Sequence, residues 1–352
     1  MSEVDMEKLE ALAGKVIGDV AGALSLYMAY LGDQAGLFDA IDGEGRLTVE
    51  QIAGKTGLNP KYLHEWLGSV SAAGYVTHHA EDDTFSLSEE QALVFGREGQ
   101  PACMQGFIMA VVSQYEENKK SVDTFKSGKG RPWGDHSQCL FCGTDRFFRP
   151  GYLANLTENW IPALGNVEEK LKSGAKVADV GCGQGSSTIL MAEAYPNSHF
   201  VGIDYHAPSI EEARRKAHAA GLENIEFTVA TAQDFQGDGF DFACIFDALH
   251  DMGDPVGAAR HVRESLKEDG TFMLVEPMAG DSYAENMNPL GQIFYAFSTT
   301  VCTPNSLSQD VGLGLGAQAG QKRLTEVLNE AGFANVKRAS ETPTNMVLEA
   351  TA

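Results

Sequence analysis

The sequence predicts an α/β chain in two folded parts: a mainly helical winged-helix domain, then a Rossmann-like domain with a doubly wound, mostly parallel sheet. Three observations carry this. From residue 166 onward, short apolar strand patterns alternate with helical ones, the β-α-β rhythm of parallel sheets. Before residue 95, three helix patterns lead into a hairpin. A glycine-rich turn, Asp179-Val180-Gly181-Cys182-Gly183-Gln184-Gly185, joins the first strand of the second part to its helix. A length of 352 residues suits two or three domains. The reading divides them as 1–95, a helical connector or lid at 96–165, and 166–352.

Apolar residues recur at helical spacing from Met6 through Leu9, Val16, Val20 and Leu24 to Leu31. A short helix follows at Leu37–Ile41. Thr48 with Gln51 three residues on forms a capping box, and Gly57 stops that helix. Asn59-Pro60 opens the next, with Leu63, Trp66, Leu67 and Val70 on its apolar face. Tyr75–His79 and Thr84–Leu87, around the polar turn Glu81-Asp82-Asp83, read as the wing. In the connector, 114–125 reads as helix and 127–132 as a breaker cluster, followed by many aromatics. The strands of the second part are expected at 176–180, 199–204, 225–229, 240–246 and 271–275, with terminal strands near 335–338 and 345–349. Helices are expected at 187–194, 208–220, 257–266 and 321–331. Gly312–Gly316 reads as a flexible loop.

The net charge is -23. Residues 1–95 carry -11, 96–165 carry +1 and 166–352 carry -13. Such acidity repels phosphate backbones and anionic lipid, so neither nucleic acid nor membrane is an expected partner. The helix from Pro60 to Val70 would be the DNA reader of a winged-helix regulator, yet it offers Lys61 and His64 against Glu65. No apolar run reaches the length of a bilayer span, and Met1–Asp5 has no leader character. Six cysteines without a disulfide spacing read as reduced thiols in a cytoplasmic protein. Cys139-x-x-Cys142 is half of a zinc pattern with no second pair, so no metal is expected.

Gly181 and Gly183 permit a tight turn and close backbone approach to a ligand. Asp204 ends the second strand, where a carboxylate binds ribose hydroxyls. A dinucleotide fingerprint wants glycine at 186, which is Ser186, and an apolar residue where Asp179 stands. An acid two residues before the first glycine suits a nucleoside carrying an ammonium group and no pyrophosphate. That ligand is S-adenosylmethionine, with S-adenosylhomocysteine as its product.

Val177–Gly185, Asp204, Ala232-Gln233-Asp234-Phe235 and Leu266–Gly270 resemble the motif series of class I methyltransferases. The stretch from Gly36-Leu37-Phe38 to Leu87-Ser88 resembles the dimerisation domain of plant-type small-molecule O-methyltransferases. Phe147–Tyr152, Gly202–His206, Phe246–Pro255 and Gly314–Gly320 resemble a bacterial winged-helix group with mycobacterial members. The resemblance implies methyl transfer to a small-molecule acceptor, and a homodimer through the N-terminal domain. It places Asp179 near the methionine ammonium, Gly181 and Gly183 beneath the ligand, and Asp204 on the ribose. It sets Tyr205 beside the adenine, Ala232 and Gln233 at its edge, and Phe246 against the methionine chain. Phe148 and Tyr152 would close over the cofactor.

The methyl donor is already activated, so positioning and water exclusion carry much of the rate. A base is needed where the acceptor must lose a proton. Leu249-His250-Asp251 matches the run that supplies it in the plant-type enzymes. Two readings of His250 stand: the base, or a loop residue bonded to its neighbours. Glu276 matches one acid that flanks such a base; the other position falls near Gln318, which is not acidic, so oxygen, nitrogen and sulfur acceptors stay open. Asp247, at a strand's carboxyl end, is a second candidate. Trp133, His136, His206, Tyr295 and Ser298 are candidates to line the acceptor pocket. Arg146 and Arg149 either meet an anionic acceptor or form internal ion pairs. The alternatives in other classes are the DNA-binding regulator and a metabolite-binding homologue without turnover.

Overall fold

The computed structural model describes residues 4–352; Met1–Glu3, the start of the segment read as lacking leader character, lie outside the described residues. The chain forms two compact units. One comprises residues up to Glu116 together with Cys142–Pro150, the other Glu117–Phe141 together with Gly151–Ala352. The stretch 96–165 expected as a separate connector is therefore shared out in pieces between the two units.

The first unit follows the winged-helix order. Helices α1 (Met6–Gln34), α2 (Leu37–Ile41), α3 (Val49–Thr56) and α4 (Pro60–Ala72) precede strands β1 (Thr77–His79) and β2 (Thr84–Ser86). Thr48 and Gln51 close both arms of the capping box, and Asn59 accepts from the Lys61 amide. A single antiparallel bridge from Leu47 to Phe85 ties the segment before α3 to the wing. Phe38, Ile41, Ile52, Leu63, Leu67 and Val70 form the core. Two more helices, α5 (Glu89–Phe95) and α6 (Gln105–Glu116), pack in the same unit.

The helix expected at 114–125 is two helices, α6 and α7 (Asn118–Ser127), broken at Glu117. Glu117 leaves helical geometry, and its carboxylate is buried against Arg131 and His136. Helix α8 (Gln138–Asn155) was not read from the sequence, because Gly143, Pro150 and Gly151 mask its periodicity. Its residues 142–150 meet α6 at backbone distance: a Cβ on Gly106 would lie 2.4 Å from the Phe147 nitrogen, and one on Gly143 2.6 Å from the Ala110 nitrogen.

Helix α1 departs from expectation in one respect. It is long and apolar enough, by length and composition, to cross a membrane. Only Ala29 and Gly32 of α1 are buried, and Leu12, Val16, Ile17, Val20 and Leu24 are exposed. Lys15 and Asp19 pair on its surface at 2.6 Å.

In the second unit, α9 (Val167–Ser173) leads into β3 (Lys176–Val180), α10 (Ser186–Ala194), β4 (His199–Asp204), α11 (Ala207–Ala219), β5 (Ile225–Val229) and β6 (Phe240–Phe246). Then come α12 (Pro255–Ser265), β7 (Leu266–Pro277), α13 (Pro289–Phe297), α14 (Thr303–Leu307), α15 (Gly320–Glu330), β8 (Asn335–Glu341) and β9 (Asn345–Thr351). The sheet order is β5-β4-β3-β6-β7-β9-β8. Pairings from β5 to β7 are parallel, while β9 runs antiparallel to both β7 and β8. Strand β7 is longer than its apolar run, because Leu266 already pairs with Phe240. Val180, Ile203, Ile245, Leu274, Val262 and Leu324 belong to one core that joins sheet and helices. The loop Gly312–Gly316 has no regular structure, yet it is tied down: Leu313 donates to the Gly253 carbonyl at 2.9 Å and Gly314 to Ser306 Oγ at 3.0 Å.

Because α6 and α8 touch through backbone, Gly106→Ala and Gly143→Ala are each expected to destabilise the protein by about 1–3 kcal/mol. Gly151→Ala, where a Cβ meets nothing within 4 Å, is the control and should be neutral or stabilising. Thermal melting of the three variants checks this; equal melting temperatures would refute the close-packing account.

Candidate active site

Strand order reverses between β3 and β6, and the candidate residues gather at their carboxyl ends. Gly181, Gly183 and Gly185 all take positive φ, at 76°, 53° and 80°. The amides of Gly181 and Cys182 both donate to the Ile203 carbonyl, at 2.7 and 3.0 Å, which ties the turn to β4. Asp204 completes the tie: one carboxylate oxygen accepts the Gly183 amide at 2.9 Å and the other the His206 amide at 2.8 Å. A Cβ on Gly185 would lie 2.7 Å from the Phe227 ring, whereas one on Gly183 meets nothing within 4 Å. Gly185 is thus a packing glycine, and Gly183 faces open space.

Asp179 is fully buried. Its Oδ2 accepts from Ser187 Oγ and Thr188 Oγ1 of α10, both at 2.7 Å. Its Oδ1 has no hydrogen-bond partner among the described residues. Burial pushes this carboxyl up to about 6, against the two hydroxyls that favour its charge. Burial likewise raises Asp204. A buried acid with a free oxygen is a receptor for a cation.

The second half of the site follows β6. Asp247 carries φ 48°, unusual for a residue with a side chain. It is fixed by its amide on the Val275 carbonyl at 2.8 Å and by Asn345 Nδ2 on its Oδ1 at 2.7 Å. A 3₁₀ turn, Leu249–Asp251, then places His250, 4% exposed, beside Glu276 of β7, 2% exposed. Glu276 Oε2 lies 2.5 Å from His250 Nδ1, and its Oε1 accepts the Leu249 amide at 3.1 Å. On the far side of the ring, Nε2 lies 3.2 Å from Asp251 Oδ1. Burial opposes charge on the imidazole, but Glu276 and Asp251 outweigh it and hold the ring well above its usual range. Burial, reinforced by Glu276, holds the Asp247 carboxyl well above the carboxylate range. Of the two sequence readings of His250, the geometry displays the bonded loop residue: Glu276 holds the ring at Nδ1 and Asp251 stands at Nε2 on the opposite edge.

Of the aromatic candidates, Tyr152 and Phe246 come together, ring centroids 5.2 Å apart, with Trp160 on the other side of Phe246. Trp160 was not singled out as a site residue, since an isolated tryptophan carries no motif. Phe148 belongs to the other unit and packs on Phe147. Tyr205 is half-exposed, and its hydroxyl reaches Asn305 Oδ1 at 3.5 Å. The same oxygen accepts the Trp133 amide at 3.0 Å. Gln233 is exposed beside the half-buried Ala232 and donates to the Asp254 carbonyl at 3.4 Å.

The expected acceptor-pocket set divides. Trp133 packs on Phe141, and Phe141 on His206, whose Nδ1 meets Ser209 Oγ at 2.8 Å. His136 is buried in an ion-pair cluster, 3.0 Å from Glu117, which also holds Arg131. Burial and the Arg131 charge keep its ring below the usual range. Ser298 is buried as a loop anchor, accepting the Ala317 amide at 3.2 Å, and Tyr295 stacks on Tyr283. Arg146 takes the ion-pair reading, with Asp33 at 2.8 Å and Glu98 at 2.5 Å. Gln318, where a second flanking acid was sought, donates to its own neighbourhood, the Ala317 and Met278 carbonyls. The residues that reasoning on sequence missed are Asp251 as an acid at Nε2, and Asn305, which collects Trp133 and Tyr205.

Comparison with known proteins places this geometry. A family described as a methyltransferase domain matches residues 171–332, and an Rv2258c-like winged HTH domain family matches residues 22–97. A demethylmenaquinone methyltransferase of Listeria monocytogenes is 27% identical over 182 residues, 49% of this chain and 75% of that protein. An uncharacterized protein of Rickettsia prowazekii is 45% identical over 53 residues, 15% of this chain and only 10% of that protein. Among solved structures, the mitomycin 7-O-methyltransferase superposes with a TM-score of 0.71 at 18% identity, covering 98% of this chain and 100% of that one. Human N-acetylserotonin methyltransferase, solved with S-adenosylmethionine, gives 0.70 at 16% identity, covering 100% and 99%. At these identities the structural likeness is one of fold. The chain thus carries a methyltransferase domain behind a winged-helix domain, in the fold of S-adenosylmethionine-dependent O-methyltransferases.

Proposed function

We propose that this enzyme transfers the methyl group of S-adenosylmethionine to a small-molecule acceptor, with a hydroxyl oxygen as the first-choice nucleophile. The observation that carries the reading is the Glu276–His250 pair at the carboxyl end of β6, in the same crevice as the glycine turn. When bound, the cofactor supplies an activated methyl on a sulfonium. The free Asp179 Oδ1 would receive its ammonium, the open face of Gly183 would lie beneath it, and Asp204 would take the ribose hydroxyls. Tyr152 and Phe246 supply apolar surface that excludes water from the methionine end. His250 in its neutral form takes the acceptor's proton at Nε2, and Glu276 and Asp251 stabilise the imidazolium that results, which puts the base-competent form above the ring's usual titration range. Asp247 is assigned to shaping the pocket floor. The relatives support a small acceptor, since demethylmenaquinone, mitomycin and N-acetylserotonin name their substrates.

The apolar face of α1 supports a homodimer through the first unit, because a patch of this size is seldom left to water. The acidity of residues 1–95 supports a pairing role over DNA reading. Six cysteines without a disulfide spacing support a reducing, cytoplasmic location.

Calorimetry is expected to show adenosylhomocysteine binding that Asp204→Ala weakens at least tenfold. The sign of its pH dependence follows from Asp179: with the free-protein carboxyl near 6, the charged form needed for the ammonium is present above that pH and lost below it. Affinity should therefore be flat above about pH 7 and fall as pH drops through 6, and a pH-independent affinity would remove Asp179 from the ammonium. His250→Ala should lower kcat for a hydroxyl acceptor by roughly 10²–10⁴ with little change in cofactor affinity, read in a methyl-transfer assay. Sedimentation should report a dimer that dissociates in Ile17→Glu; a monomeric native chain refutes that pairing.

A further inference from the structure

We propose that Asn305 and Gln309 are positioning residues that tie the turn bearing His250 to the adenine side of the cofactor site, so that a bound cofactor steadies the base. This rests on the crevice being an S-adenosylmethionine site with Tyr205 beside the adenine. Neither residue was singled out from the sequence, because each is an isolated amide in an irregular stretch.

The link begins at the end of β4. Tyr205 follows Asp204, and its hydroxyl lies 3.5 Å from Asn305 Oδ1. The same oxygen accepts the Trp133 amide at 3.0 Å. The segment before Trp133 is seated on α14 as well. The Arg131 amide donates to the Pro304 carbonyl at 2.7 Å, and a Cβ on Gly130 would collide with the Ser308 backbone. Asn305 is buried and collects donors from two distant parts of the chain on one oxygen.

From Asn305 the link runs one helical turn further. Gln309 Nε2 donates to Asn305 Oδ1 at 3.3 Å and to the Asn305 carbonyl at 3.1 Å. It also reaches the Asp251 carbonyl at 3.1 Å, while Gln309 Oε1 accepts the Gly253 amide at 3.0 Å. Beside it, Ser306 Oγ donates to the Met252 carbonyl at 2.8 Å. Asp251 closes the 3₁₀ turn that carries His250. A carboxamide suits this junction because it donates and accepts without charge, next to an acid that is already buried.

The chain of contacts gives the cofactor a mechanical effect on the base. Tyr205 is half-exposed, so its ring is free on one side. An adenine packed there restrains the ring and holds its hydroxyl on Asn305. Hydrogen bonds in series reinforce one another, so the restraint passes through Gln309 to the backbone of residues 251–253. Coupling of this kind is reciprocal: a fixed turn also favours the bound cofactor. His250 Nε2 is then held most firmly when the methyl donor is in place.

The test uses the full chain and adenosylhomocysteine. Hydrogen exchange is followed by mass spectrometry with and without the ligand. In the native protein the ligand is expected to slow exchange in residues 249–253. Asn305→Ala, whose side chain meets that turn only through Gln309, should lose most of the slowing while still binding. Asn305→Asp keeps the accepting oxygen and should retain it. In the reverse direction, Gln309→Ala should weaken adenosylhomocysteine about fivefold by calorimetry, although Gln309 reaches the cofactor side only through Asn305. The double variant should cost no more than the larger single loss, the mark of a shared link. Melting curves check that the variants fold. A merely structural role lowers the melting temperature and leaves the ligand-dependent slowing intact; that result, or additive losses, overturns the proposal. Failure of the native chain to bind adenosylhomocysteine sinks the cofactor reading and this link with it, whereas binding with unaltered exchange in Asn305→Ala sinks the link alone.

Discussion

Between β3 and β6 the chain's connections leave in opposite directions, so no loop bridges the carboxyl ends of these neighbouring strands, and a crevice opens there. Everything chemical in the second unit is arranged around that gap. β3 supplies the buried acid Asp179, and the turn after it supplies backbone. The turn after β6 supplies an imidazole. β4 and β7, one strand further out on each side, supply the carboxylates that hold the two turns: Asp204 on the Gly183 amide, and Glu276 on His250.

The two halves solve the burial of charge differently. Asp179 is held by two hydroxyls on one oxygen, and its other oxygen has no hydrogen-bond partner among the described residues. His250 is answered from both edges, and three acids, Asp247, Asp251 and Glu276, share its low-dielectric surroundings. Removing one member of such a cluster leaves the others uncompensated, which costs more than the intact pairing gains. That asymmetry explains how a local, short-range motif and a long-range network can stand side by side in a single crevice.

The first half was legible in the sequence because its parts are neighbours in the chain. Glycines at 181, 183 and 185 each take the backbone angle their residue type favours, and the caps at Thr48 and Asn59 close as their spacing dictates. The second half was only partly legible. His250 and Asp251 announce themselves as a pair, but Glu276 joins them through sheet pairing that no periodicity encodes. The connector misled for a related reason. Glu117 looks like one more polar residue on a helix surface, and only its burial against Arg131 and His136 explains the break there. Likewise Ser298 and Arg146, plausible pocket residues by type, are consumed by loop anchoring and ion pairing.

The backbone of Asp247 limits what this position can become by substitution. A positive φ on a residue with a side chain stores roughly 1–3 kcal/mol, held here by Asn345 and the Val275 carbonyl. Glycine, asparagine and aspartate tolerate such a bend; β-branched and bulky residues do not. The position is therefore a hub on which few substitutions are viable, however useful a new side chain there would be to a new acceptor. Substitutions that reshape the pocket are therefore better tolerated on the surrounding helices and loops than at this bend.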